Sequence, residues 1–90
     1  MPTIRIPTPL RQFTAGNSEV PVAGDTVGAA LRDLATRHPD LRKHLYSEDG
    51  ELRAFVNIFL GQDDVRHLQG VSTAIKENDQ LRIVPSVAGG

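Results

Sequence analysis

One amphipathic helix, set between segments of alternating polarity, constrains the fold of this chain more than any other feature. Three residues recur at helical spacing and form its apolar stripe: Val27, Leu31 and Leu34. Asp25 or Thr26 precedes the stripe as a candidate N-cap, and Pro39 ends the helix. About 12 residues give a rod of roughly 18 Å, a length suited to crossing one face of a sheet. The helix is therefore predicted to cover a sheet built from the segments around it.

Two segments before the helix alternate polar and apolar residues, as half-buried strands do. They span residues 3–7 and 18–22 and are predicted to pair as an N-terminal hairpin. Gly16-Asn17 supplies left-handed backbone angles to the turn between them. Pro21 has no N–H to donate to a neighbouring strand, so the second segment is expected at an edge of the sheet.

Three further strands are predicted after the helix, over residues 53–60, 65–66 and 80–84. A single helical turn over 72–75, capped by Ser72, is expected before the last of them. One long helix packed across a mixed sheet in this order gives an α+β fold of the β-grasp, or ubiquitin-like, type, with four to five strands and the helix on one face. The domain is predicted to span residues 1–86 and to be followed by a flexible Gly-Gly tail, 87–90.

The composition excludes several classes of function. The 90 residues carry a formal net charge of -1, which argues against a nucleic-acid-binding surface and against electrostatic binding to a membrane. Without cysteine, the chain forms no disulfide and offers no thiol nucleophile. Its three histidines lack the spacing of a metal site, and no metal is expected. No apolar stretch has the length of a membrane span and no secretory signal is recognisable, so a cytoplasmic protein is expected.

The sequence ends Val87-Ala88-Gly89-Gly90, and this end is the candidate reactive site. Two glycines without Cβ atoms pass through a slot too narrow for a side chain, and the last one is expected to carry the free α-carboxylate. Four extended residues reach roughly 13 Å, far enough to enter the active site of another protein. The tail therefore predicts a carrier whose reactive group is its own terminus, and the alternative is an ordinary frayed chain end.

Several short segments, taken in their order along the chain, carry a resemblance to a known family. They are Gly24-Asp25-Thr26-Val27-Gly28, Phe55-Val56-Asn57-Ile58, Asp63-Asp64-Val65-Arg66, Asn78-Asp79 and Val84-Pro85-Ser86-Val87-Ala88-Gly89-Gly90. With the predicted architecture, this set resembles the ubiquitin-like sulfur-carrier family over essentially the whole chain. The family includes the small subunit of molybdopterin synthase, the thiamine sulfur carrier and a sulfur carrier of cysteine biosynthesis. The segment 6–11, together with 55–58 and the ending, looks most like the cysteine-biosynthesis carrier.

The resemblance implies that Gly90 is the reactive residue, Gly89 its steric partner, and Val87 and Ala88 the stem of the tail. An activating enzyme would adenylate the Gly90 carboxylate with ATP and Mg²⁺, and sulfur transfer would convert it to a thiocarboxylate. In the cysteine route this sulfur would attack an aminoacrylate held on pyridoxal phosphate in a cysteine synthase, and a metallopeptidase would release the cysteine. The chain itself would bind no cofactor and would act as a cosubstrate, not as an enzyme.

Two other roles use the same terminus. In the first, the chain is the noncatalytic small subunit of molybdopterin synthase and inserts its tail into a larger subunit. In the second, it is a ubiquitin-like modifier joined through Gly90 to lysines of other proteins. All three roles place the chemistry at the terminal carbonyl and the catalysts on partner proteins.

A docking surface on the folded domain is expected in addition to the tail. Ordering four flexible residues costs about 4–8 kcal/mol, which the tail alone is not expected to offset. Strand alternation predicts a patch on the sheet face away from the helix, formed by Phe55, Phe59, Val84, Arg82 and Arg5. The alternative is that one or both phenylalanines pack in the core, where this residue type is most often found.

Overall fold

The computed structural model describes residues 1–54 and 56–85. The strands are β1 (Thr3–Arg5), β2 (Glu19–Pro21), β3 (Val56–Leu60), β4 (Asp63–Asp64) and β5 (Gln80–Pro85). The α-helices are α1 (Val27–Arg37) and α2 (Arg42–Leu45). Short 3₁₀ helices lie at Thr8–Thr14, Pro39–Leu41, Val65–His67 and Gly70–Ser72. No helix in this described part of the chain is long and apolar enough to cross a bilayer.

The strands form one mixed five-stranded sheet in the order β2-β1-β5-β3-β4. β1 and β5 run parallel, and every other neighbouring pair is antiparallel. The predicted N-terminal hairpin is confirmed by the β1–β2 pairing. β2 lies at an edge, as Pro21 requires, because a central strand would need the N–H that proline lacks. The sheet and its single long helix confirm the predicted β-grasp fold.

The core lies between α1 and one face of the sheet. The whole predicted apolar stripe of α1 is fully buried, and it packs with the inward residues of the central strands. The largest side chains of this core are Ile4, Ile6, Leu31, Leu34, Leu41, Leu45, Ile58, Leu81 and Ile83. Thr26 is the N-cap, and its hydroxyl accepts a hydrogen bond from the Ala29 N–H at 3.1 Å. Of the two candidate caps, the structure therefore selects Thr26.

The N-terminal connection contains one helix that was not predicted, and one predicted detail in it is wrong. Residues 8–14 form a 3₁₀ helix, which the sequence pattern did not indicate, and the left-handed residues that follow it are Ala15 and Gly16, not Gly16-Asn17. The buried Thr14 hydroxyl shares its one proton between the carbonyls of Asn17 at 2.9 Å and Arg11 at 3.2 Å. These two bonds close the turn around Thr14, so the left-handed angles fall one residue earlier than predicted.

The predicted third strand is too long. It begins at Val56 instead of residue 53, because Arg53 is bound to the end of α2. Its N–H donates to the Leu45 carbonyl and its Nε donates to the Lys43 carbonyl, both at 2.8 Å. These bonds hold the chain at Arg53 away from the sheet.

Two further elements after the third strand are displaced from their predicted positions. The return strand is Asp63–Asp64 instead of Val65-Arg66, because the Asp64 carboxylate accepts from the Arg66 N–H at 2.9 Å and starts a 3₁₀ turn. The predicted helical turn at 72–75 ends at Ser72, which is not its cap. Beyond it, the Thr73 carbonyl accepts from the Val27 N–H, so this segment is bound to the start of α1.

Candidate functional site

Three predicted docking residues form one row across the outer face of the sheet. In the strand register, Arg5 of β1 lies opposite Arg82 of β5, and Arg82 lies opposite Phe59 of β3. Their chain neighbours Ile4 and Leu81 are fully buried on the helix side. Because successive side chains of a strand point to opposite faces, the row lies on the face away from α1.

The two arginines of this row differ in their ion pairing. Arg5 forms a long ion pair with Glu19 at 3.6 Å, and the Gln80 amide nitrogen also donates to that carboxylate at 3.0 Å. The Arg82 guanidinium carbon lies 5.2 Å from the centroid of the Phe59 ring, within cation–π range. Within residues 1–54 and 56–85, Arg82 has no carboxylate partner. The centre of the row therefore presents a cation held beside an aromatic ring.

Val84 lies on the same face, one row further along β5. It is opposite Asn57 and is half-buried. Phe59 is also half-buried and lies outside the buried core cluster, so the core alternative does not describe its position. The structure thus brings Arg5, Phe59, Arg82 and Val84 onto one surface, called here the outer patch, whereas Phe55 lies outside the described residues.

The residues assigned to the reactive tail also lie outside the described part of the chain. They are Val87, Ala88, Gly89 and Gly90, and Ser86 joins them to β5. The last described residue is Pro85, which pairs with Val56 across β5 and β3. The outer patch and the strand that leads into the tail are therefore parts of the same sheet.

A groove of about 320 Å³ lies beside the end of β5, between residues 5–8 and 82–85. Arg11 lines it together with Arg5 and Arg82, and its Nε donates to the Ile6 carbonyl at 3.0 Å. Arg11 was not predicted as a site residue, because strand periodicity does not reveal that a 3₁₀ helix returns it to β5. The end of β5 is therefore bordered by three arginines.

Arg66 is a second residue that the sequence analysis did not assign to the site. It was predicted in a return strand, but the structure places it in a 3₁₀ turn with its guanidinium directed back to the start of β3. No local sequence signal identifies this contact, since the acceptors lie nine to twelve residues earlier. Its geometry places it next to the strand that pairs with the end of β5.

The helix side of the molecule has a separate concavity of about 650 Å³. Arg32 of α1 and Arg42 of α2 line it around Tyr46, and burial raises the pKa of the Tyr46 hydroxyl although both arginines act in the opposite direction. In the described ranges, no group of three or more histidines or carboxylates is arranged to hold a metal ion. His44, for example, stacks on the Phe13 ring at 4.3 Å between ring centroids.

Known proteins are similar to this chain over most or all of its length. The model of the ThiS family matches residues 4–90. The sulfur carrier protein CysO of Mycobacterium tuberculosis (strain H37Rv) is 42% identical over 90 residues, covering 98% of this chain and 97% of the relative. The small archaeal modifier protein 3 of Haloferax volcanii is 40% identical over 65 residues, covering 72% of this chain and 70% of the relative.

A solved structure of a similar protein has the same fold. A chain in the crystal structure of the Amycolatopsis orientalis BexX/CysO complex superposes with a TM-score of 0.88 and 37% identity, and the match covers 100% of both chains. The resemblance thus extends from the first strand through the residues of the tail, and it includes both sequence and fold. The chain belongs to the ThiS family of ubiquitin-like sulfur carriers.

Proposed function

We propose that the C-terminal carboxylate of Gly90 is adenylated by a partner enzyme, converted to a thiocarboxylate, and used as a sulfur donor in cysteine biosynthesis. The observation that carries this proposal is the 42% identity to a sulfur carrier protein CysO over nearly the whole length of both chains. The absence of cysteine from the sequence supports it, because carried sulfur then has no side-chain thiol to occupy. The chain serves as a cosubstrate of its partners.

The chemistry follows from the poor reactivity of a carboxylate. At neutral pH the terminal carboxyl is ionised, and its oxygen attacks the α-phosphorus of ATP with release of pyrophosphate. Sulfur at the oxidation level of sulfide, supplied by way of a sulfurtransferase, then attacks the acyl carbon, its proton is released, and AMP leaves. The product is an anionic thiocarboxylate with a nucleophilic sulfur. ATP and Mg²⁺ belong to the activating enzyme, pyridoxal phosphate to a cysteine synthase, and peptide cleavage to a metallopeptidase.

The outer patch is the proposed contact with the activating enzyme. Aromatic and arginine side chains contribute most of the binding energy in many interfaces, and Phe59 with Arg82 supplies one of each. The unpaired charge of Arg82 among the described residues favours an acidic counterpart on the partner. The Amycolatopsis orientalis relative was crystallised in a BexX/CysO complex, which supports complex formation by a carrier of this type.

The proposal is tested by intact-mass measurement. The chain is incubated with a sulfur-carrier activating enzyme, ATP and a sulfide donor, and we expect the mass to increase by the difference between one sulfur and one oxygen atom. Fragmentation should place this change at Gly90. A matched variant extended by one alanine past Gly90 should stay unmodified. If the native chain stays unmodified with activating enzymes that charge a CysO control, the proposal is wrong.

Protein modification is a second candidate function, favoured by the similarity to small archaeal modifier protein 3 over 72% of this chain. Both functions share the acyl-adenylate, and they differ in whether sulfur or a lysine amine takes the acyl group. A search for lysines linked to the C-terminal residues of this chain distinguishes them. Conjugates that disappear when Gly90 is deleted would support modification, and their absence from cells that contain the thiocarboxylate would favour the carrier role alone.

A further inference from the structure

Arg66 connects the turn after β4 to the start of β3. Its two terminal nitrogens divide the contacts: Nη1 donates to the Asn57 side-chain oxygen at 2.7 Å, and Nη2 donates to the carbonyls of Ala54 and Val56 at 2.6 and 3.0 Å. Its backbone N–H is bound by the Asp64 carboxylate at 2.9 Å. One planar guanidinium therefore binds three residues at the start of β3: Ala54, Val56 and Asn57.

This contact occupies an edge of the sheet that β4 leaves uncovered. β4 has two residues and pairs only with Phe59 and Leu60, so within residues 1–54 and 56–85 no strand pairs with the first half of β3 on that side. An open strand edge presents unpaired backbone groups to solvent and to other chains. At this edge the Arg66 guanidinium donates a hydrogen bond to the Val56 carbonyl, in the place where a neighbouring strand would otherwise donate one.

The same part of β3 pairs with the end of β5. Val56 lies opposite Pro85 and Asn57 lies opposite Val84, and these are the last two described residues of β5. The sequence continues from them directly into 86–90. Whatever fixes Val56 and Asn57 therefore also fixes the base from which the tail starts.

We propose that Arg66 is a positioning residue for the C-terminal carboxylate, acting through the start of β3 on the end of β5. The inference rests on the proposed function, because it concerns delivery of Gly90 to the activating enzyme. Holding a reacting group in place lowers the activation barrier, and small displacements of its support reduce the rate strongly. Lysine cannot reproduce this contact, because it has one charged nitrogen whereas Arg66 binds through two nitrogens, Nη1 and Nη2, of a planar guanidinium.

The test compares Arg66→Ala, Arg66→Lys and Arg37→Ala in steady-state pyrophosphate release by the activating enzyme, with the carrier as the varied substrate. Arg37 is the matched control, because it is also an exposed arginine with a charged hydrogen bond, to Asp33 on α1 at 2.6 Å. We expect Arg66→Ala to lower kcat about tenfold with KM unchanged, Arg66→Lys to fall between it and the native chain, and Arg37→Ala to match the native chain. Loss of folded protein would instead raise the apparent KM at constant kcat.

Amide hydrogen exchange provides a readout that does not depend on activity. In Arg66→Ala, amides of residues 56–58 and 82–84 should exchange faster, and by a larger factor than the accompanying loss in the global free energy of unfolding explains. If the native chain is charged and Arg66→Ala keeps the native kcat, or only its KM rises, the positioning role is wrong. If the native chain is never charged, the proposed function fails. If amide exchange in Arg66→Ala is then unchanged as well, Arg66 does not hold the start of β3 and the end of β5 in place, and this inference fails independently.

Discussion

The guanidinium carbon of Arg82 lies 5.2 Å from the centroid of the Phe59 ring, and the two residues are direct neighbours across β5 and β3. This pair combines a positive charge with an apolar surface at the centre of the face opposite α1. An arginine beside an aromatic ring keeps its guanidinium accessible to a partner, while its aliphatic carbons cover the apolar surface. The pair is therefore the part of the outer patch on which docking is expected to depend most.

Charge reversal at Arg82 tests this docking surface. Arg82→Glu should weaken binding to the activating enzyme about tenfold, or about 1.4 kcal/mol, because it removes the cation and opposes an acidic counterpart. Titration calorimetry with the activating enzyme measures the change in Kd. Arg37→Glu, on the exposed side of α1, makes the same change in net charge and should leave Kd unchanged. Equal weakening by both variants would show that the effect is general electrostatics instead of a local contact.

The sheet and the helix were predictable because their signals are local. Period-two alternation placed Ile4, Val20 and Ile83 in the core, and each is buried. Likewise, the spacing of Val27, Leu31 and Leu34 predicted the buried face of α1. Alternation also placed the outer-patch residues of β1, β3 and β5 on one face, which the strand register then aligned in a row.

The features that were not predictable depend on contacts between distant residues. The contacts of Arg66 with Ala54 and Asn57 arise only after the β3–β4 turn has formed, so no window of sequence contains their signal. The same holds for Arg53, whose bonds to α2 shorten β3 at its start. Turns are decided by such side-chain-to-backbone bonds, and residue type alone indicates them weakly.

The width of the tail is tested at Gly89. Gly89→Leu should abolish thiocarboxylate formation, because the leucine side chain would block a slot that accepts only backbone. The free energy of unfolding should change by less than about 0.5 kcal/mol, since no described core residue lies beyond Ile83 in the sequence. Intact mass and urea denaturation measure the two effects. Native charging of the leucine variant would show that the entry path is wider than proposed.

Gly24 is predicted to be the glycine least tolerant of a side chain in the described part of the chain. It has φ of +149°, and a Cβ there would meet the Ala30 backbone nitrogen at 2.7 Å. Because that nitrogen belongs to the first turns of α1, Gly24→Ala should lower the free energy of unfolding by about 2–4 kcal/mol. Gly16→Ala is the control: φ is +82° but a Cβ would meet nothing within 4 Å, so the cost should be about 1 kcal/mol. Equal losses in urea denaturation would contradict the steric explanation.

Asp33 should make the stability of the domain sensitive to acid. Its carboxylate accepts from the Ala23 N–H at 2.8 Å and from the Arg37 Nε at 2.6 Å, and these bonds hold the pKa of Asp33 below its usual value of 3.8. The folded state then binds this proton less readily than the unfolded state, so the stabilisation is complete above the unfolded pKa and is lost as pH falls from about 3.8 through the folded pKa.

Replacement of Asp33 by asparagine should therefore cost about 1 kcal/mol at pH 7, because the neutral amide accepts both bonds more weakly than the carboxylate does. The difference from the native chain should shrink as the pH falls below 3.8. Urea denaturation of both proteins from pH 7 to pH 2.5 measures this convergence. Asp40→Asn removes a carboxylate that is exposed on the short turn after α1 and should cost little at pH 7. A constant difference between native chain and Asp33→Asn across the whole range would mean that the bond to Ala23 stabilises the fold through geometry and not through the charge of the carboxylate.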